Sequence, residues 1–450
     1  MVSKLLRFGR RQLHTIVSRD IIKPSSPTPS HLKTYNLSLF DQLAVNAYAP
    51  FVAFYPSTRI YQSSHDKTVE LKNSLSHTLS RYYPYAGRLA KAGPTYVDCN
   101  DDGVEFIEAS NDGPLSDFLH RSAHEDLDQL FPDDLIWYKS NHKAHTDENE
   151  RTSPLSVQVN HFSCGGVAVA VSLSHKIADA SSILNFLKDW ATVTRSRGEH
   201  RDLSHINPHF LSYKTRNIKL PKNMPDRPQG DYVTRSFVFP NSKINDLKAK
   251  ITNMTMESGE PIMNPTRAEA LTWLIHKCAV AAACKTKSGI FKPTGVGQVM
   301  SIRNNLVEQL PETSIGNLYL LMEFPTRDES DLTPHNIIGE LRKRKKEFRS
   351  IKNTETALGI VSEMCSDHTA MLETTKRLDD YYIYTVINRF PTYGIDFGWG
   401  KPIKVTVGGV VKNLIIMMNT PNGDGIETLL SLDGQDMKII QNDPELLAFC

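Results

Sequence analysis

The 450-residue chain has no apolar run approaching the roughly 18 residues that cross a bilayer, so no membrane-spanning helix is expected. It also has little net charge. Its 52 Lys and Arg offset 50 Asp and Glu to leave +2, which gives no reason to expect nucleic acid as the main partner. The six cysteines (Cys99, Cys164, Cys278, Cys284, Cys365, Cys450) include no C-x-x-C pair. Four lie in apolar or amphipathic segments, so free thiols in a reducing compartment are expected rather than disulfides. No His/Glu/Cys cluster has metal-ligand spacing, and no metal is expected. A phosphate loop is missing too: Gly423-Asp424-Gly425 is followed by no helix with Lys-Ser or Lys-Thr, and reads as a turn. Acidic residues are absent from Met1 to Arg19, where Lys4, Arg7, Arg10, Arg11 and Arg19 alternate with Leu5, Leu6, Phe8, Leu13, Ile16 and Val17. Residues 1–20 are therefore set apart as a basic extension. Two readings stay open, a disordered tail on a cytoplasmic protein, which is favoured, and a mitochondrial transit peptide.

What is present fits a globular α/β protein. Hydrophobic residues make up 40% and charged residues 23%, enough for a sizeable core. The length suggests two domains of roughly 200 residues each. Leu71, Leu75, Leu79 and Tyr82 recur at helical spacing. Tyr96–Cys99 and Val104–Ile107 flank a polar turn and predict a hairpin. Val157 and Val159, then Val167, Val169, Val171 and Leu173, predict two strands joined at Cys164-Gly165-Gly166. After Asp179, Ile183, Leu184, Leu187 and Ala191 change to a helical period. Residues 204–232, rich in Pro, Asn and basic side chains, are read as a crossover between domains 21–203 and 233–450. In the second half a strand is expected at Val233–Phe239. Thr266-x-x-Glu269 predicts a capping box opening a helix with Leu271, Leu274, Ile275, Cys278 and Ala282 on one stripe. Three late strands are expected at 403–407, 410–418 and 426–432, with Gly408-Gly409 as a turn between the first two.

Two constellations carry chemistry. His175-Lys176-Ile177-Ala178-Asp179 stands at a strand-to-helix junction, where side chains project into a cleft. A histidine suits proton transfer from a hydroxyl because its ordinary pKa, about 6.5, lies near neutrality. Asp396-Phe397-Gly398-Trp399-Gly400 holds no nucleophile and reads as a tight structural turn, with glycines where other residues would be strained. The basic run Arg342–Lys346 reads as a solvated helix face.

In this order and about 220 residues apart, the two motifs resemble those of the plant BAHD acyltransferase family. Tyr82-Tyr83-Pro84-Tyr85-Ala86-Gly87-Arg88-Leu89, Cys99 to Phe106, Ile315-Gly316-Asn317, the lead-in Ile22–Pro29 and the ending Asn442–Leu447 also match. The resemblance is closest to the group containing vinorine synthase, the capsaicinoid-forming acyltransferase and nightshade acylsugar acyltransferases. It implies two chloramphenicol-acetyltransferase-like α/β sandwich domains. His175 would be the general base, moving an acyl group from acyl-CoA, the co-substrate, to a hydroxyl of a plant metabolite such as an acylsugar, alkaloid or terpenoid alcohol. Asp179 would pair with Arg303; Asp396, Gly398 and Trp399 would be structural; Thr266 and Asn317 would contact coenzyme A. No permanently bound cofactor and a monomer are expected. The family's frequent Gly after the motif aspartate is Ala180 here. An amine acceptor and a catalytically silent ligand-binding relative are the alternatives, and the acceptor and acyl length are not legible.

Overall fold

Residues 155–162 and 167–174 place apolar or small side chains on both faces, and each becomes a strand whose every residue is buried. The computed structural model describes residues 14–57, 63–90, 95–132, 135–137, 151–196, 206–210, 231–287, 289–306, 310–353, 356–357, 359–360, 380–388, 390–409 and 411–450. The strands of the two large sheets are β1 (His14–Ile22), β2 (Tyr48–Tyr55), β3 (Val104–Asn111), β4 (Leu155–Phe162), β5 (Val167–Ser174), β6 (Tyr232–Pro240), β7 (Thr294–Ser301), β8 (Tyr319–Thr326), β9 (Asp380–Val386), β10 (Lys404–Val407), β11 (Leu414–Asn419) and β12 (Gly425–Asp433). The helices that matter below are α1 (Leu39–Leu43), α2 (Ser64–Leu79), α3 (Ala180–Arg195), α4 (Asn241–Glu257), α5 (Arg267–Lys287) and α6 (Pro334–Arg349). The chain divides into two units, one of Met1–Lys214, Thr313–Asn317 and Pro391–Gly409, the other of Thr215–Glu312, Leu318–Phe390 and Val410–Cys450.

The first unit holds a six-stranded mixed sheet in the order β1-β3-β4-β5-β2-β10. Only β3 and β4 run parallel; the other neighbours are antiparallel. The register of β2 on β5 runs from Tyr55 opposite Val167 to Tyr48 opposite Ser174, so pairing ends one residue before His175. Helix α2 starts in a Ser63/Asp66 capping box and buries Leu71, Leu75 and Leu79. Each such leucine contributes about 2 kcal/mol of transfer free energy. Helix α3 packs beside it: the Trp190 indole N–H donates to Ser74 Oγ at 3.0 Å, and the Tyr82 hydroxyl donates to Asp189 at 2.7 Å.

The second unit holds a six-stranded sheet in the order β6-β12-β11-β9-β7-β8, with β9 parallel to both β7 and β11. The expected stripe of Leu271, Leu274, Ile275, Cys278 and Ala282 on α5 is buried, in a core shared with Val296, Phe324, Tyr382, Tyr384, Ile415 and Met417 of the sheet. Trp273 and Ala270 are buried as well, because α4 and α6 also pack on this helix.

Four expectations change. First, the boundary near residue 20 does not hold. His14–Ile22 is an edge strand paired antiparallel with β3, and Arg19 bridges Glu105 at 2.9 Å. Residues 1–13 lie outside the described residues. Second, Tyr96–Asp98 and β3 do not form a hairpin. The former joins a small sheet with Thr34–Asn36 and Arg88–Ala90, while β3 joins the large one. Positive φ at Asp101 (61°) and Gly103 (90°) turns the chain from one sheet to the other. Third, Gly408-Gly409 is not a turn between paired strands, since β10 pairs with β2 and β11 pairs with β9 and β12. Fourth, and for the same reason, Pro391–Gly409 with the Asp396–Gly400 motif clusters with the first unit. Most of the expected crossover, residues 211–230, lies outside the described residues.

Because β1 closes one edge of its sheet, a protein starting at Lys23 is expected to melt at least about 3 °C below one starting at His14, the shift for roughly 1 kcal/mol in a unit of this size. Equal melting temperatures in differential scanning calorimetry would show that β1 adds nothing to stability.

Candidate active site

The sheet ends where β5 runs out of partners, and the backbone is held there by two bonds. The Ser174 N–H donates to the Pro154 carbonyl at 2.7 Å, and the His175 N–H donates to Ala47 O at 2.8 Å. Ser174 is buried, and its hydroxyl oxygen accepts from the Lys176 N–H at 3.4 Å. His175 keeps part of its surface exposed. Burial lowers its pKa below the usual histidine value, opposed by the Asp179 charge and the contact with Asn317. The shift favours the neutral ring, the state a proton acceptor needs.

Asn317 meets this histidine. Its Oδ1 lies 3.1 Å from His175 Nδ1, and its Nδ2 donates to the His175 carbonyl at 2.7 Å. The same Nδ2 donates to Asp41 Oδ1 at 2.9 Å, and the Asn317 main-chain N–H donates to that oxygen at 2.8 Å. The side-chain amide of Asn317 therefore bonds to both His175 and Asp41. The loop that carries it is tied to the first unit at Gly316, whose N–H donates to Ser182 Oγ at 3.1 Å, and at Ser314–Ile315, which pair with His209–Phe210.

Asp41 was missed at the sequence level, although Ser38-x-x-Asp41 carries the spacing of a capping box. In the structure it caps α1: Ser38 donates to Asp41 Oδ2 from its N–H at 3.0 Å and its hydroxyl at 2.6 Å. Burial pushes the Asp41 carboxyl up to about 6 against these donors, which leaves it mainly ionised above neutrality. Lys176 is buried nearby with its ammonium on Gln42 O at 2.7 Å; burial lowers it to about 8, and the Asp41 charge opposes that shift.

Asp179 is the N-cap of α3. Its Oδ1 accepts from the Ser182 N–H at 3.0 Å and the Ser182 hydroxyl at 2.9 Å. Arg303 and Thr266 belong to the second unit. Arg303 opens a single 3-10 turn after β7. Thr266 forms the expected capping box with Glu269: Glu269 N–H donates to Thr266 Oγ1 at 3.2 Å, and Thr266 N–H donates to Glu269 Oε2 at 2.9 Å. Burial would raise Glu269, but Lys345 and Arg342 hold it below the usual carboxylate range, so part of the basic run on α6 is used on this cap.

Asp396 Oδ1 accepts from the Gly398 N–H at 2.8 Å and the Gly400 N–H at 2.9 Å, closing a tight turn. Gly398 (φ 98°) and Gly400 (φ 92°) sit in backbone shapes that side chains disfavour. Phe397 and Trp399 are buried and pack edge-on against Tyr55 of β2. The Tyr55 hydroxyl donates to Ile395 O at 2.8 Å. The motif anchors a returning segment on the first sheet.

The chain was compared with known proteins. A family model described as the Transferase family matches residues 14–447. Akuammiline synthase 1 of Alstonia scholaris is 35% identical over 439 residues, 96% of this chain and 97% of that protein. Acylsugar acyltransferase 3 of Solanum lycopersicum is 34% identical, covering 97% of each. The crystal structure of vinorine synthase superposes with a TM-score of 0.77 at 30% identity, over 97% of this chain and 98% of that one.

Two outcomes follow from the local roles. Asp179→Ala should cost about 1 kcal/mol or more through the lost cap, whereas Asp179→Asn, which still caps, should cost far less. Equal losses in thermal unfolding would show that the charge, and not the cap, matters. Gly398→Val should reduce the soluble, folded yield, as read by gel filtration; normal yield would show that the turn tolerates a side chain.

Proposed function

We propose, from the premise that this chain belongs to the Transferase family and is a BAHD acyltransferase, that His175 takes the proton of an acceptor hydroxyl as that oxygen attacks the thioester carbonyl of an acyl-CoA. The observation that carries this reading is His175 at the end of β5, a residue that keeps part of its surface exposed and whose pKa burial lowers. The new bond joins acceptor oxygen and acyl carbon. When the tetrahedral adduct collapses, the carbon–sulfur bond breaks and the departing thiolate recovers the proton from His175. Ser174 offers no alternative nucleophile, since it is buried. The reaction then runs in a ternary complex with no acyl-enzyme. The acceptor class is a plant specialised metabolite carrying a hydroxyl, supported by relatives whose names are those of an alkaloid synthase and an acylsugar acyltransferase.

Incubating the purified protein with several acyl-CoAs and a plant metabolite extract should produce a species heavier by one acyl group. His175→Ala should lower turnover about 100-fold or more. A near-normal rate in that variant, or an acylated protein accumulating without acceptor, would overturn the base assignment. Because burial lowers the His175 pKa, the basic form persists on acidification. The acid limb of kcat is therefore expected below about pH 6.5, the ordinary histidine value. A limb above it would contradict a ring held neutral by burial.

A further inference from the structure

We infer that Trp137 is a positioning residue for His175: bridged to Tyr48, it closes the outer edge of β2 and so steadies the two main-chain bonds that carry the histidine. This rests on the proposed role of His175 as base. Trp137 has a φ of 48°, a backbone shape that a bulky side chain rarely adopts and that persists only where its surroundings enforce it. Those surroundings are all in the first unit. Strand β10 follows β2 as far as Val407 opposite Phe51, and the Gly408 N–H then donates to Pro50 O at 3.2 Å. Trp137 takes the next place on that edge. Its N–H donates to Tyr48 O at 2.6 Å and its carbonyl accepts from the Tyr48 N–H at 3.1 Å, an isolated antiparallel bridge. Its indole N–H donates to Gly408 O at 2.8 Å, which ties the bridge to the end of β10. The glycine pair makes room for this. A Cβ on Gly408 would run into the Phe131 ring, and one on Gly409 into Ile136 and the Trp137 indole. The Gly409 N–H donates to Asp128 Oδ1 at 2.9 Å. Gly408-Gly409 is thus the seat on which Trp137 rests.

Tyr48 is where this reaches the histidine. Main-chain groups of successive strand residues point to opposite edges. Tyr48 therefore gives its N–H and carbonyl to Trp137, while Ala47, the residue before it, offers its carbonyl to the His175 N–H at 2.8 Å. The buried Tyr48 side chain carries a second link. Its hydroxyl donates to Ser153 O at 2.7 Å, and the next residue, Pro154, accepts from the Ser174 N–H at 2.7 Å. Both bonds that hold the Ser174–His175 main chain thus come from residues adjoining a Tyr48 contact, Ala47 along the chain and Pro154 through the hydroxyl. Trp137 packs on the buried cluster of Phe131, Ile136, Val52 and Phe54, which gives the bridge a firm backing. A proton acceptor must be held to within about 0.5 Å, and a displacement of about 1 Å can cost on the order of 100-fold in rate. Sheet pairing supplies that precision along β2 and β5 but stops one residue short of His175. The Trp137 bridge carries it to the junction. Trp137 and Tyr48 act through the main chain, so their effect should fall on turnover more than on substrate affinity.

The test reads the junction and the rate separately. Hydrogen–deuterium exchange, resolved to the Ser174 and His175 amides, reports whether their bonds to Pro154 and Ala47 hold. In Trp137→Ala both amides should exchange about 10-fold faster or more, kcat should fall about 10-fold or more, and KM should stay within about threefold. Trp137→Phe, which keeps a ring beside Gly409 without the indole bond, should recover most of that loss. Tyr48→Phe keeps the bridge and removes the hydroxyl from Ser153 O and from its contact with Thr152. It should speed exchange at Ser174 more than at His175, with a smaller fall in kcat. Gly408→Ala, whose added carbon meets the Phe131 ring, should act in the direction of Trp137→Ala. Rates are taken per folded molecule, counted by circular dichroism and gel filtration. A folded Trp137→Ala with normal kcat would overturn the inference, whether or not the amides exchange faster. A fall in kcat with both amides still protected would overturn it too, since the effect would then not pass through these bonds. Should Trp137→Ala not fold, the same two readouts on Tyr48→Phe decide, and unchanged values there sink the proposal. If His175→Ala proves active while Trp137→Ala loosens the two amides, the base reading fails and the link from Trp137 to the junction stands.

Discussion

The Asp41 carboxylate is a buried charge, and the junction around His175 is built from the groups that solvate it. A buried ionised carboxyl is costly unless its lone pairs are met by donors. Here those donors come from the first turn of α1 and from the Asn317 loop. Satisfying the charge thus joins two segments 276 residues apart in sequence. The same arrangement leaves the Asn317 carbonyl facing the histidine. Hydrogen bonding in a low-dielectric setting has this consequence generally: once one group is fixed and charged, its neighbours have few orientations left.

The strand-to-helix frame was legible from residue patterns. Runs buried on both faces made β4 and β5 visible, and the change of period after Asp179 marked α3. The Thr266 capping box and the α5 stripe were visible for the same reason, because caps and stripes are local. What failed was pairing. Nothing local tells a strand which sheet it joins, so β1 was set aside as a basic extension, Tyr96–Asp98 was matched to the wrong neighbour, and β10 was assigned with the strands that follow it. At the site, His175 was legible as a histidine at a strand end. Its partners were not, since Asp41 and Asn317 reach it through contacts spanning well over a hundred residues of sequence. The Ser38-x-x-Asp41 signal was present, but a capping box by itself speaks of a helix start and not of a charge facing a histidine.

A second histidine, fully buried, shows that burial alone does not suit a ring to the base role proposed for His175. His276 on α5 is held at about 3 by burial, packs edge-on against Tyr382 and Tyr384, and is fully enclosed in the core of the second unit. It is neutral at any physiological pH, yet it is closed to a substrate. His175 shares the downward shift and differs in two respects: part of its surface is open, and one ring nitrogen faces a defined acceptor.

A lowered pKa also makes His175 a weaker base, and that constrains the chemistry. The lowered pKa favours the unprotonated ring at neutral pH, so less of it is held in the protonated form. A free alcohol is far too weak an acid to surrender its proton to such a base before reacting. On the proposed mechanism, the proton must move as the oxygen–carbon bond forms, when the oxygen gains positive character and its acidity rises. A concerted transfer demands that the lone pair already point at the hydroxyl, because little time or driving force remains for a ring flip or tautomer exchange. Orientation is therefore worth more than basicity at this site, which is why a neutral amide anchored on a buried carboxylate suits Nδ1 better than a direct carboxylate partner that would raise the pKa and favour the protonated ring.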